Sequence, residues 1–423
     1  MTLLRRIPAW RPGAYARDSL RIFGWLLLRT AAQAAMVLLL ARWLGAAGYG
    51  AFVAALAVAS FFTPLAGLGL GGVLLVRGAR DPAGLAALEG KATRLWGVSS
   101  SLCTVLATLA MFVGLPGRLP LWALAALAAA EVAAASWVEL KARIAQARLQ
   151  AHRFGTLQAG LPLARLLALV PAMALLPATP SAWMIAYALA SLLYAVTLAV
   201  RGRTRPARSI APEATAAAHP PLLVREGLPF AGGAVAVRLQ AEFNKPVLAQ
   251  IGYAEAGALN VAQRIVDLVA LPLAALQEAL WPRVLSAAQP NQRLWQTGML
   301  LILFALAGGG LTALAAPLVV WLLGEDYGQT AQALAWLAGL PALQVLRNLS
   351  NVSLLAKSSS TLLLYGYVIR ALSSVLLALL LVPSYGIFGA VLGLYISEIF
   401  SIIAQTTIIY FARQNKTGEK FNH

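Results

Sequence analysis

Charge is scarce in this chain: 11% of its 423 residues are Asp, Glu, Lys or Arg, against 60% hydrophobic residues, and the mean hydropathy is +0.75. A soluble domain of that size needs a charged surface, so the composition excludes one and indicates an integral membrane protein. Cysteine is scarcer still. Cys103 stands alone, which excludes a disulfide framework and reads as a small buried apolar residue. The three histidines, His152, His219 and His423, are scattered over connections and the tail, so sequence spacing assembles neither a metal site nor a Ser/His/Asp constellation. No DxD acid pair is available to hold a nucleotide-sugar's metal, and the expected outer loops are short. A membrane glycosyltransferase, polymerase or ligase needs more polar architecture than this, and the chain is read as a non-enzyme.

What is present in abundance is long apolar runs. Crossing about 30 Å of hydrocarbon at 1.5 Å per residue takes roughly twenty residues of helix, and such runs recur along the whole sequence. They predict spans at 22–44, 50–76, 94–115, 120–140, 157–178, 181–200, 227–251, 256–281, 294–323, 328–356, 360–383 and 387–412. The expected class is therefore all-α, a polytopic membrane protein of about twelve transmembrane helices. A β-barrel would show shorter, alternating segments. No cleaved signal is expected, because the first run follows a long basic lead and lacks a short core with a cleavage site.

The net charge of +18, from 33 basic and 15 acidic residues, would suggest nucleic acid if it were gathered in one patch. It is not gathered. With the N-terminus inside, 24 of the 33 basic residues fall on inner connections, 2 on outer ones (Arg42 and Arg118) and 7 within spans. That is the positive-inside pattern, with both termini cytoplasmic and no basic patch left over for a nucleic acid.

A polar interruption rich in Arg, Pro and Ala at 201–226 divides the chain into two sets of six spans, 22–200 and 227–412, flanked by segments 1–21 and 413–423. The two sets resemble each other weakly. Gly45 and Gly50, then Pro64 and Arg77, are matched by Gly252 and Gly257, then Pro272 and Arg283. Six is even, so both copies enter with the same orientation, which predicts two parallel lobes with a substrate path between them. "GLGLGG" at 67–72 lies within a span and lacks a following Lys-Ser/Thr, so it reads as close helix packing with a break in span two.

Seven basic residues, Arg29, Arg165, Arg238, Lys245, Arg264, Arg347 and Arg370, interrupt the apolar spans, with Glu131, Glu242, Asp267 and Glu398 as the clear acids. Each such charge costs about 2.5–3.5 kcal/mol at the centre of a span on insertion scales. Residues 238, 242 and 245 share one helical face by their spacing, as do Asn260, Arg264 and Asp267. Two readings stay open for Arg238 with Glu242 and for Arg264 with Asp267: neutralisation within one helix, or a water-filled path. Lys245 has no obvious local partner. Arg29 either snorkels or faces the path; Arg165, Arg347 and Arg370 either pair with Glu131 or Glu398 or meet substrate. The surplus of bases suits a negatively charged amphiphile carrying phosphate.

The stretch "LLARWLGAAGYGAFVAALAVASFFTPLAGLGLGGVLLVR" resembles the first two spans of the polysaccharide biosynthesis protein family, the Wzx-type O-antigen flippases of the multidrug/oligosaccharidyl-lipid/polysaccharide (MOP) exporter superfamily. The resemblance rests on Arg42 to Gly45, Tyr49 with Gly50, and a Gly-Leu-Gly closing span two. "IGYAEAGALNVAQRIVDLVALPLAALQEALWPRV" is similar to the family's eighth-span region, with Pro282 and Arg283 near its inner end. What this implies is a MATE-like fold of two six-helix lobes in the bacterial inner membrane, flipping undecaprenyl-diphosphate-linked oligosaccharide by alternating access. Membrane lipids and other polysaccharide-assembly proteins would be its partners. Cationic cavity residues are implied at Arg29, Arg238, Lys245 and Arg264, with Arg347 and Arg370 as further substrate candidates. Glu242 and Asp267 are the candidates for a coupling proton or sodium ion. The alternative is a multidrug or small-molecule exporter of the same fold, which would want an acidic cavity.

Overall fold

A computed structural model describes residues 14–81, 84–117, 119–203, 220–285, 290–355 and 360–418, and every element within them is helical. In hydrocarbon no water is available to backbone N–H and C=O groups, so a spanning segment must satisfy them within its own helix. The first set of elements is α1 (Ala14–Ala66), α2 (Leu70–Arg80), α3 (Leu85–Gly114), α4 (Leu121–Ala128), a π turn (Ala129–Ala134), α5 (Ala135–Ala147), α6 (Ala151–Leu175) and α7 (Pro180–Arg203). The second is α8 (Pro220–Glu242), α9 (Asn244–Ala249), α10 (Tyr253–Leu285), α11 (Pro290–Leu314), α12 (Ala316–Leu323), a 3-10 turn (Glu325–Tyr327), α13 (Gly328–Leu337), α14 (Leu340–Leu355) and α15 (Ser360–Gly418).

Among the described residues eight helices are long and apolar enough to cross a membrane. Two of them are too long to cross once. Unbent, the 53 residues of α1 would reach about 80 Å at 1.5 Å per residue. Gly45 (φ 70, ψ 173) breaks α1, and Gly386 (φ 57, ψ −134) breaks α15. Positive φ of this kind is open to glycine at no steric cost, so one residue makes each corner. Beyond Gly386 the chain doubles back, bringing Gly393 against Leu377. Counting both legs of α1 and α15 makes ten, and α8 with α9 and α13 with α14 complete the twelve expected. The connection expected between 44 and 50 is reduced to Gly45 alone. Helix α8 already begins at Pro220, inside the segment expected as linker; residues 204–219, like Arg118, 1–13 and 419–423, lie outside the described residues.

Helices α1 to α7 pack on one another, as do α8 to α15, and the principal contacts between the two sets run from α1, α2 and α3 to α8, α9, α10, α12 and the 3-10 turn. This is the two-lobe arrangement. Its interior is rich in alanine, with Ala54, Ala59, Ala107, Ala123 and Ala262 fully buried, which lets helix backbones approach closely. Larger groups anchor the seams: Phe52 stands edge-on to Trp183 at 6.1 Å and to Tyr187 at 5.4 Å, fastening the second leg of α1 to α7. Leucine, valine and phenylalanine side chains such as Leu109, Phe112 and Val113 face outward, as a lipid-facing surface requires. Cys103 is buried, as its composition class suggested.

Candidate functional site

Between the two sets of helices lies a cavity of about 830 Å³, lined from α1, α2, the π turn, α5, α6, α7, α8 and α10. One of its ends is closed by the second leg of α1 crossing the start of α10. A Cβ on Gly50 would overlap the carbonyl of Tyr253, and one on Gly257 would meet the backbone of Ala46 and Gly50, so the crossing admits no side chain. These two glycines are among the positions matched between the two halves in the sequence. Hydrogen bonds across the lobes hold the same end: Tyr327 Oη to the Ala41 carbonyl at 2.8 Å, Gln250 Nε2 to the Gly114 carbonyl at 2.7 Å, and Arg42 to the Leu322 carbonyl at 3.2 Å. Tyr253 donates to the Pro116 carbonyl, and Asn260 to the Tyr49 hydroxyl. At the other end α2 meets α8. The break at Leu68 (φ 48) and Gly69 (φ 64) sets Gly69 directly on Gly227, and Gly72 on the Phe230 ring. Beyond them Arg77 grips Glu226 with two hydrogen bonds, Nε to Oε2 at 2.9 Å and a second from its terminal nitrogen. The reading of "GLGLGG" as a packing motif holds.

The cavity wall carries five arginines, Arg29, Arg143, Arg165, Arg238 and Arg264, against three carboxylates, Glu131, Glu139 and Glu242. Most are already engaged. Arg165 reaches Glu131 at 2.9 Å and Ser191 at 2.9 Å and lies over the Tyr187 ring at 4.1 Å. Arg143 bonds Glu139 at 2.7 Å. Arg29 donates to Gln158, whose amide donates in turn to Glu139 at 3.0 Å. Arg264 lies 3.3 Å from Glu242 and 3.6 Å from Asp267. Arg238 is exposed to the cavity and makes no hydrogen bond or ion pair among the described residues.

Of the residues singled out in the sequence, the structure brings Arg29, Glu131, Arg165, Arg238, Glu242, Asn260 and Arg264 to this one cavity. Lys245 is not among its lining residues. It is 2% exposed and, contrary to its expected isolation, salt-bridged to Glu242 one turn earlier. Of the two readings of Arg238 with Glu242, neutralisation within the helix does not occur: Glu242 is taken by Lys245, three residues on, and by Arg264 from α10. Asp267 pairs with Arg264 as its spacing predicts, but its side chain is 64% exposed and lies off the cavity lining. Arg347 and Arg370 are elsewhere. They converge on Glu398 at 2.8 and 3.8 Å, where Gln240 also donates at 3.3 Å, within the packing of α8, α14 and α15. At 100° per residue Gln240 faces away from Arg238 on α8, so neighbouring polar residues serve the lobe interior and the cavity respectively.

Several lining groups were not legible as site residues: Gln33, Tyr49, Thr63, Gln158 and Tyr187. Gln33 carried a signal, standing one turn from Arg29 on the same helix face. The tyrosines and Thr63 carried none, since such residues are ordinary in packed spans. No group of three or more His, Cys, Asp or Glu placed to hold a metal ion occurs among the described residues.

No protein-family profile matches the chain, and no curated protein matches its sequence. Solved structures do match its fold. The lipid II flippase MurJ in an inward closed conformation superposes with a TM-score of 0.67 at 12% identity, over 93% of this chain and 87% of that one. An inward-facing multidrug resistance MATE family transporter of the MOP superfamily gives 0.64 at 16% identity, over 94% and 99%. The MATE multidrug transporter DinF-BH in complex with R6G gives 0.64 at 15% identity, over 97% and 99%. The chain thus has the fold of these transporters.

Proposed function

We propose that the protein is a flippase that carries undecaprenyl-diphosphate-linked oligosaccharide, an O-antigen or exopolysaccharide repeat unit, across the bacterial inner membrane by alternating access. Arg238 is the observation that carries this reading: a guanidinium on an apolar helix, facing a cavity between two lobes, with no protein partner among the described residues. An arginine at that depth costs about 2.5–3.5 kcal/mol unless a partner offsets it, and a diphosphate matches its fork of donors. Arg29 and Arg264 supply further donors on the same lining. In this reading the Arg77 end faces the cytoplasm, following the distribution of basic residues, and the crossing of Gly50 with Gly257 closes the outside. The diphosphate enters the cavity while the prenyl chain stays in lipid.

The pairing around Glu242 suits such a cycle. Lys245 keeps that carboxylate neutralised, so Arg264 can turn from it to a phosphate without stranding a buried charge. Asp267, loosely paired and exposed, is then the better candidate for a coupling proton or sodium ion than the doubly engaged Glu242. Likeness to multidrug transporters supports a second reading, export of a small molecule by the same fold. A cationic drug would favour acids on the wall, and here five arginines face three glutamates.

The test is flipping of a fluorescent polyprenyl-diphosphate-sugar in proteoliposomes. Arg238→Ala should slow it about tenfold or more, since a hydrogen bond to a charged group is worth about 1.5–3 kcal/mol. Flipping at the wild-type rate in that variant would remove the assigned role, and no flipping by the wild type would favour the second reading.

A further inference from the structure

The polar groups left unpartnered in the cavity divide by chemistry and by wall. On α8 it is the cationic Arg238. On the opposite lobe they are neutral or anionic: the side chain of Gln33 makes no hydrogen bond among the described residues, and Glu131 uses only one of its oxygens. Glu131 Oε2 accepts from Arg165 at 2.9 Å and from the Tyr187 hydroxyl at 2.8 Å, whereas Oε1 accepts from no described residue. The side chain is 14% exposed, and that exposure is to the cavity it lines.

The backbone beneath Glu131 departs from the helix around it. Residues Ala129–Ala134 form a π turn between α4 and α5, and Thr63 from α1 donates to the Glu131 carbonyl at 3.0 Å. Such one-residue insertions recur where a helix must present a side chain to a ligand. Glu131 is also held in place, with a guanidinium and a phenol on one oxygen and the other left over.

An acceptor-only carboxylate repels phosphate and binds hydroxyl donors through charge-assisted hydrogen bonds. Two of this wall's arginines do not reverse that preference, because Arg165 is committed to Glu131, Ser191 and the Tyr187 ring, and Arg143 to Glu139; the third, Arg29, donates to Gln158, which is itself bonded to Glu139. We infer that Glu131 Oε1 and the Gln33 amide form a subsite for the hydroxyl groups of the sugar nearest the diphosphate, distinct from Arg238 and Arg264 on the facing lobe. The inference rests on the flippase reading and adds to it a division of labour: Glu131 and Gln33 recognise carbohydrate, while Arg238 and Arg264 on the facing lobe, with Arg29, take the diphosphate.

The test compares two ligands on purified full-length protein by native mass spectrometry: a polyprenyl diphosphate, and the same lipid carrying a single hexose. The wild type should bind the glycosylated lipid about tenfold more tightly, the size expected of a hydrogen bond to a charged group. In Glu131→Gln that preference should collapse toward one, and Gln33→Leu, which leaves the ion pair with Arg165 untouched, should reduce it independently. Arg238→Ala should weaken both lipids alike and preserve the ratio. An unchanged ratio in both Glu131→Gln and Gln33→Leu overturns the subsite while the flippase reading stands. Failure of the wild type to bind either lipid overturns that reading and the subsite together.

Discussion

Arg238 and Lys245 lie seven positions apart and differ in what they can do. Arg238 has no partner to lose, so its replacement should spare the fold and alter only what the cavity binds. Lys245 is buried, and its removal strips Glu242 of its nearer cation. Breaking a buried pair costs about 3–5 kcal/mol, although α10 still supplies Arg264 at 3.3 Å, which reduces the penalty here. We expect Lys245→Met to lower the thermal midpoint and the folded yield in detergent, and the double variant Lys245→Met/Glu242→Gln to recover much of the loss. A Lys245→Met protein with wild-type stability and impaired lipid binding would instead make Lys245 a ligand-contacting residue. The trio of Arg347, Arg370 and Glu398 is comparable: two cations on one buried acid, held away from the cavity.

At the scale of elements, a glycine crossing and a departure from regular helix shape the cavity. The crossing of α1 and α10 depends on glycine, since any Cβ at Gly50 meets the Tyr253 carbonyl. Gly50→Leu should therefore disfavour the state closed at that end. Spin-label pairs placed across the crossing, with Cys103 first replaced, should report a longer distance in the variant. An unchanged distance would mean that the helices absorb the side chain by a local shift. The π turn is the departure from regular helix. Deleting Ala133 should restore an α-helical path and turn Glu131 by roughly a third of a turn relative to α5, from the 3.6-residue period. Helicity measured by circular dichroism should persist, while preference for the glycosylated lipid is lost.

For the whole molecule, the alternating access proposed above requires the two ends of the cavity to open in turn, and each end is held by bonds that would then have to break. At the Arg77 end the bidentate pair with Glu226 joins the lobes, with side chains about one-third exposed at 35% and 36%. Solvent screening reduces such a pair to about 0.2–1 kcal/mol, light enough to open during a cycle. Arg77→Glu should bring two glutamates together and slow flipping, and adding Glu226→Arg should restore it. If the exchange of charges restores nothing, the contact is incidental and the packing of Gly69 on Gly227 carries that seam.

Much of this was legible in the residues. The twelve legs follow from apolar runs of bilayer length, because an unsatisfied backbone group in lipid leaves helix as the only open-chain solution. Gly50 and Gly257, singled out in the sequence as matched positions, lie where the two sets of helices cross. Spacing also found the pair of Arg264 with Asp267, since residues three apart on a helix are neighbours wherever the helix packs.

Apart from Lys245, which stands three residues after Glu242, what spacing missed depended on partners far along the chain. Arg238, Gln240 and Glu242 lie within one stretch of α8, yet they meet the cavity, the Glu398 cluster, and Lys245 with Arg264 respectively. No periodicity distinguishes a polar face that sees water from one that sees another helix. Composition and hydropathy by themselves determined that the chain is a helical membrane protein with its positive charge mostly outside the spans, because those follow from transferring each segment into hydrocarbon. Tertiary packing alone decided which buried charges neutralise one another and which is left to meet a ligand, because in a low-dielectric interior that outcome turns on a few ångströms between side chains from different helices.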